Sequence, residues 1–169
     1  MLRLTTKVDS DFLAAMLYEA VNWRETGDET RPPLEEMLAD PQMARYVEGW
    51  GRPGDAALVA VDRADEPVGA AWYRFFTADA PGYGFVGEQV PEVSIGVYPE
   101  VRGQGIGHLL LGGLIARARS EGVQSLSLSV AEDNPARRLY ESIGFEVVAT
   151  GGGSLTMVVD LVSRLDLRR

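Results

Sequence analysis

Three glycines spaced two residues apart have the types and positions needed to bind an anion. Gly103, Gly105 and Gly107 directly precede apolar residues at helical spacing, so they lie where a long helix begins. A helix start has backbone N–H groups without partners and a partial positive charge, and glycine lets a phosphate approach that backbone closely. Arg102 adds a guanidinium fork suited to phosphate. The stretch predicts a phosphate-binding loop, although a tight turn for helix–sheet packing would use the same glycines.

Two familiar phosphate loops do not fit this spacing. The dinucleotide fingerprint needs a third glycine three residues after the second, but His108 follows Gly105 at that spacing. The P-loop needs Gly-Lys followed by Ser or Thr, whereas Gly112 is followed by Gly113. Neither of these nucleotide sites is indicated.

What the loop does match is the pattern Arg-x-x-Gly-x-Gly. Residues 102–107, opened by residues 97–100, resemble the acyl-CoA pyrophosphate loop of the GNAT superfamily of N-acetyltransferases. About thirty residues later, Asn134 to Phe145 is similar to the second half of that family's cofactor site. Two motifs in the right order are much harder to obtain by chance than one glycine loop. The resemblance covers about Val59 to Phe145 and implies acetyl-CoA as the co-substrate.

The resemblance assigns cofactor contacts to individual positions. It implies that Ile95 and Val97 pair through their main chains with the pantetheine amides. Asn134 would hydrogen-bond the cofactor, although a helix-capping asparagine needs no ligand to explain it. Tyr140 would contact the cofactor too. The pyrophosphate would be held by the loop and the first helical turn, namely Arg102, Gly103, Gln104, Gly105, Ile106, Gly107 and His108.

The chemistry of the family assigns two further roles. Attack of an amine on a thioester requires a deprotonated nucleophile and a proton for the departing thiolate. By the resemblance, Tyr140 supplies that proton; the alternative is that Tyr140 only packs in the core. Glu92, at the start of a strand, would accept the amine proton directly or through water. Glu88 and bulk water compete with it, and a solvated carboxylate at a strand end is the remaining interpretation.

The elements that must position these residues follow from the periodicity of the apolar residues. A strand at the start of the chain precedes two helical stretches, the first capped by Asp9 or Ser10 and the second restarting at Pro41. Later segments include a hairpin, a central strand, a long helix ending at Gly122, and a strand parallel to the central one. The predicted order is β-α-α-β-β-β-α-β-α-β-β. This is an α/β chain with a mixed sheet, the order of a GNAT-type acyl-CoA N-acyltransferase fold.

Composition narrows the class of protein. The 169 residues predict a single domain over 1–169. Absence of cysteine excludes disulfides and thiolate metal sites, and a single histidine argues against a multi-histidine zinc site, so no metal is expected. A formal charge of −9 argues against nucleic-acid and anionic-membrane partners. With neither a signal-peptide core nor an 18-residue apolar run, a cytoplasmic location is expected.

The sequence therefore predicts an acetyl-CoA-dependent N-acetyltransferase for a primary amine of a small molecule or protein, acting as a monomer or homodimer. Two alternatives from other classes stay open. One is a catalytically silent CoA-binding sensor, and the other is a module that uses the loop for a different phosphate or nucleotide. No motif identifies the acceptor.

Overall fold

The computed structural model describes residues 2–24 and 31–162. These ranges contain seven strands and five α-helices. In chain order they are β1 (Arg3–Thr5), α1 (Ser10–Val21), α2 (Leu34–Ala39), α3 (Pro41–Ala44), β2 (Ala56–Val61), β3 (Pro67–Arg74), β4 (Glu92–Val97), α4 (Ile106–Ser120), β5 (Ser125–Ala131), α5 (Ala136–Ile143), β6 (Glu146–Gly151) and β7 (Ser154–Asp160). A short 3-10 turn, Pro99–Val101, lies between β4 and α4.

The predicted order of elements is confirmed, with the second helical stretch divided at Asp40 into α2 and α3. Hydrogen bonding orders the strands as β1-β2-β3-β4-β5-β7-β6. β4 and β5 are parallel, whereas the pairs β1–β2, β2–β3, β5–β7 and β6–β7 are antiparallel. The sheet is therefore mixed, as expected.

The chain divides into two compact units. The first takes the chain up to Tyr73 together with Ser94–Leu114, and the second takes Arg74–Val93 and the chain from Ile115 onward. A single domain over 1–169 stays a prediction.

In the first unit, α1 begins as the sequence predicts. Asp9 accepts a hydrogen bond from the backbone N–H of Phe12 at 2.7 Å, so its side chain caps the helix. Leu13, Met16 and Leu17 form the buried face of α1. The two glycines inside α4 differ from each other. A Cβ on Gly113 would lie 2.8 Å from the side chains of Leu4 and Leu58, whereas one on Gly112 would meet no atom within 4 Å.

In the second unit, Glu92 and Ser127 are opposite each other in the parallel ladder between β4 and β5. β5 pairs with β7 along its whole length, and its Leu126, Leu128 and Val130 are buried. Helix α5 ends at Gly144, whose φ of 117° lies in the left-handed region that favours glycine at a helix end.

None of the helices within residues 2–24 and 31–162 combines the length and apolar character that crossing a membrane requires.

Candidate active site

The glycine loop of the first unit has the backbone that anion binding needs. Gly103 and Gly105 have φ angles of 78° and 81°, which L-residues with a Cβ rarely adopt. Both glycines are exposed, and a Cβ built on either would have no atom within 4 Å. Helix α4 starts directly after them at Ile106, with the Leu109 N–H donating to the Gly105 carbonyl at 3.1 Å. The N–H groups of the first helical turn therefore lie beside an open, solvent-facing loop.

Arg102, predicted to bind phosphate, also holds neighbouring parts of the chain together. Its Nε donates to the Val97 carbonyl at 3.2 Å, and its Nη2 lies 3.4 Å from both the backbone oxygen and a carboxylate oxygen of Glu19. A third of the side chain is exposed. The guanidinium thus connects the end of β4 to the last turn of α1, and the structure brings two predicted site residues, Val97 and Arg102, into direct contact.

Helix α1 lies tightly against the segment that leads into the loop. A Cβ on Gly96 would collide with the backbone carbonyl of Met16, so only glycine fits at that point in β4. The rings of Phe12 and Tyr98 meet edge to face at 6.2 Å. Burial, followed by the carboxylates of Glu19 and Glu100, raises the pKa of Tyr98 above its usual range. Tyr98 therefore stays protonated at neutral pH.

Glu92, in the second unit, is not a solvated carboxylate. Only 2% of the residue is exposed, and its Oε1 accepts a hydrogen bond from the backbone N–H of Gly84. The interpretation of a solvated strand-end carboxylate is therefore wrong. Gly84 belongs to the irregular segment between β3 and β4, so that segment packs directly on the proposed base.

The fit around Gly84 leaves no space for a side chain. A Cβ on Gly84 would lie 2.6 Å from the backbone carbon of Leu128 and 2.8 Å from the backbone nitrogen of Ser129.

The hydroxyl of Ser127, opposite Glu92 in the ladder, is buried and has no hydrogen-bond partner among the described residues. Gly84 and Ser127 were not among the residues predicted for the site. Glycines recurring along the link between β3 and β4 are the one local signal that could have pointed to Gly84.

Glu88, the competing base candidate, has a different environment. It is exposed, and its Oε1 accepts a hydrogen bond from the backbone N–H of Ala78 at 3.2 Å. This bond links the two ends of the same irregular segment. Glu88 is open to water while Glu92 is enclosed.

Tyr140 and Asn134 also lie in the second unit. Tyr140 is buried against Phe145, with ring centroids 6.0 Å apart, and burial raises the pKa of its hydroxyl above the tyrosine range. The phenol therefore keeps its proton throughout the neutral range. Asn134 Oδ1 accepts a hydrogen bond from the backbone N–H of Ala136 at 2.9 Å, so Asn134 caps the start of α5 as the sequence predicts.

The remaining predicted residues follow their elements. Ile95 is half-buried in β4, Ile106 is buried at the start of α4, and Gln104 and His108 are exposed at the loop and first turn. Gly107 lies in the first turn of α4. Among the described residues, no group of three or more acidic or histidine side chains is placed to hold a metal.

The acetyltransferase (GNAT) family matches this chain over residues 15–145, which include both predicted cofactor motifs. The chain belongs to that family. A mycothiol acetyltransferase of Thermobispora bispora is 37% identical over 127 residues, which are 75% of this GNAT chain and 41% of that protein. The ribosomal protein bS18-alanine N-acetyltransferase of Haemophilus influenzae is 51% identical over 55 residues, 32% of this chain and 38% of that protein. The chain thus spans about two fifths of the length of these curated relatives.

Solved structures agree on the fold. The ribosomal-protein-alanine N-acetyltransferase from Brucella melitensis has a TM-score of 0.64 at 30% identity, covering 95% of this chain and 99% of that one. The PaiA N-acetyltransferase from Thermoplasma acidophilum, solved in complex with coenzyme A, has a TM-score of 0.67 at 16% identity with the same coverage. The predicted GNAT-type fold is confirmed.

Proposed function

We propose that this chain is an acetyl-CoA-dependent N-acetyltransferase that transfers the acetyl group to a primary amine by direct attack on the thioester. The observation that carries the proposal is the open glycine loop before α4. Gly103 and Gly105 adopt left-handed φ angles there, and their missing side chains leave space at a helix N-terminus. Because the chain belongs to the GNAT family, we expect a pyrophosphate to be the ligand of this loop.

In this proposal the chain binds the cofactor mostly through its backbone. N–H groups between Arg102 and His108 bind the pyrophosphate, and Arg102 adds a cation beside them. Ile95 and Val97 offer main-chain groups to the pantetheine arm. Asn134 contributes a side-chain hydrogen bond, in addition to the cap that it already makes.

Deprotonation of the amine is assigned to Glu92. An alkyl amine has a pKa of about 10, so nearly all of it is protonated at neutral pH and cannot attack. Because Glu92 is 2% exposed and lies under Gly84, it would receive the proton through an ordered water or after the segment between β3 and β4 moves. Glu88, which faces solvent, is the next candidate.

Protonation of the leaving thiolate is assigned to Tyr140. Nitrogen forms the new bond to the carbonyl carbon and releases its surplus proton to solvent. The carbon–sulfur bond breaks, and the sulfur leaves with the electron pair and takes the phenolic proton. Burial raises the pKa of Tyr140, so its hydroxyl keeps its proton at neutral pH and is present as a donor when charge develops on sulfur. The phenolate is then reprotonated from solvent.

The names of the relatives suggest acceptors for an assay panel. A peptide beginning with alanine represents the ribosomal-protein enzymes. The acceptor of mycothiol acetyltransferases and L-methionine sulfone represent the small-molecule enzymes. Acetyl transfer to one member and not to the others would assign the acceptor class. A cytoplasmic location and a monomeric or homodimeric state stay predictions.

The binding test compares two glycines with the same backbone strain. Gly105→Ala and Gly122→Ala both place a Cβ in open space at φ angles of 81° and 77°, so each should lose about 1–2 kcal/mol of stability. Only Gly105 lies in the loop. Calorimetry with acetyl-CoA should give a Kd raised at least ~10-fold for Gly105→Ala and unchanged for Gly122→Ala.

The outcomes separate the hypotheses. Equal affinity in the two variants would remove the basis for a pyrophosphate site at this loop. Binding of acetyl-CoA without transfer to any amine would favour a silent sensor, and tighter binding of ATP than of CoA would favour a nucleotide module.

A further inference from the structure

Two arginines and one glutamate form a partly buried cluster beside the glycine loop. Glu19, in the last turn of α1, is 7% exposed. Arg31 forms a bidentate ion pair with it, in which Nη1 and Nη2 each lie 2.9 Å from a carboxylate oxygen. The Arg31 side chain is 6% exposed. Arg102 approaches the same carboxylate from the loop at 3.4 Å. All three residues belong to the first unit.

Glu19 is shared unequally between the two arginines. A buried carboxylate needs a partner, and the short fork from Arg31 fits that need better than the longer contact from Arg102. Arg102 is also the more exposed of the two arginines. Because Arg31 makes the closer pair, Glu19 can hold Arg102 while offsetting less of its charge.

The cluster also fixes the orientation of Arg102. Nε and Nη2 are bound to Val97 and Glu19, while Nη1 makes no hydrogen bond with the described residues. Because a guanidinium is planar, fixing two of its nitrogens fixes the direction of the third. One donor edge of Arg102 is therefore held in place and unused.

Helix α1 is a firm support for this arrangement. Phe12, Met16 and Glu19 are spaced by four and three residues, so they share one face of α1. That face meets Tyr98, Gly96 and Arg102 in turn. Since the Met16 backbone lies directly on Gly96, Glu19 can move little relative to β4.

We propose that Glu19 and Arg31 are positioning residues for the cofactor loop. Glu19 holds Arg102 with its Nη1 edge available to a phosphate oxygen, and Arg31 balances Glu19 so that the charge of Arg102 remains available. The inference rests on the proposed function, because it takes the phosphate groups of acetyl-CoA as the ligand of the loop. It adds a contribution from α1 and from the chain before α2 to cofactor affinity.

The test is a double-mutant cycle on CoA binding by calorimetry. Glu19→Gln and Arg102→Gln should each raise the Kd of CoA about 10-fold or more, and the double variant should bind no more weakly than Arg102→Gln alone. Arg31→Gln should also weaken binding, because Glu19 would then neutralise Arg102, and Arg31→Lys should recover most of that loss. With acetyl-CoA saturating, kcat should change less than twofold in each Glu19 or Arg31 variant.

Two further measurements guard against misfolded variants. Glu19→Asp keeps the buried charge but shortens its reach, so it should weaken CoA binding even if Glu19→Gln does not fold. The Nε–H signal of Arg102 in ¹⁵N NMR spectra of the ligand-free protein can be assigned by its loss in Arg102→Lys. This signal should be sharp in the wild type and broadened in Glu19→Asp. The control is Glu121→Gln, which removes an exposed pair with Arg117 at 2.9 Å and should leave both readouts unchanged.

The outcomes distinguish this inference from the proposed function. Additive losses in the cycle, or unchanged CoA affinity in both Glu19 variants, would overturn the positioning role while leaving CoA binding intact. Failure of the wild type to bind CoA would instead refute the proposed function. A sharp Arg102 signal in Glu19→Asp would contradict the orienting contact directly.

Discussion

Gly84→Ala tests whether the segment between β3 and β4 is closed on Glu92. The added Cβ would lie 2.6 Å from the Leu128 backbone carbon, 2.8 Å from the Ser129 backbone nitrogen and 2.5 Å from Glu92 Oε1. Cβ atoms do not approach backbone atoms this closely, so the segment must move away from β5. The hydrogen bond from the Gly84 N–H to Glu92 would then break.

The size of the effect follows from these two losses. Forcing a methyl group into a closely packed site costs about 1–3 kcal/mol. Loss of a hydrogen bond to a charged group costs about 1.5–3 kcal/mol. Together they predict that the free energy of unfolding falls by about 2.5–6 kcal/mol. For a chain of this size the Tm should fall by ~5–25 °C.

The control lies three residues away in the same segment. Gly87 also lacks a side chain, but a Cβ there would meet no atom within 4 Å. Urea unfolding of Gly87→Ala should give a free energy within about 0.5 kcal/mol of the wild type. If Gly84→Ala unfolds at the same urea concentration as Gly87→Ala, Gly84 is not enclosed and the burial of Glu92 has another cause.

The remaining predictions concern the chemistry. Tyr140→Phe should lower kcat about 10²-fold, the lower end for general acid catalysis, with a smaller change in the KM for acetyl-CoA. If the variant turns over at the wild-type rate under conditions where the chemical step limits the rate, Tyr140 is a packing residue. Burial raises the pKa of Tyr140 in the folded state, so the contribution of this hydroxyl to stability is complete below pH ~10 and is lost as the pH rises further. In urea titrations at alkaline pH, Tyr140→Phe should therefore lose less stability than the wild type does. Glu92→Gln keeps an oxygen acceptor for the Gly84 N–H but should displace or flatten the rise of kcat/KM with pH for a cationic amine; an unchanged rise would move the base to Glu88 or solvent.

Local signals predicted most of the fold. The cap at Asp9, the turn at Gly144 and the alternation of β5 each depend on neighbours within a few residues, and each is present in the structure. Sequence could not tell Gly112 from Gly113, because both are glycines inside the same helix. Only Gly113 of the two lies closely against other side chains, since Leu4 and Leu58 reach it from distant parts of the chain.

The site was predicted less completely because its contacts join distant residues. Glu19 and Arg102 are 83 residues apart in sequence, and no local pattern links a glutamate late in α1 to an arginine before α4. The enclosure of Glu92 has the same origin. A glutamate at a strand end is normally solvated, and only the approach of Gly84 from the preceding segment removes it from water.

The net charge of the whole chain differs from the local charge at the glycine loop. The chain carries a formal charge of −9, which on its own would repel a ligand with several phosphate charges. That repulsion acts mainly over distances that physiological salt screens, with a Debye length of about 8 Å. The Arg31–Glu19–Arg102 cluster and the first turn of α4 act at contact distance, where salt screens less. Raising the salt concentration therefore weakens both the repulsion by the distant acidic residues and the attraction to the loop. The affinity for CoA should depend on salt less steeply than the charge of the ligand alone would suggest.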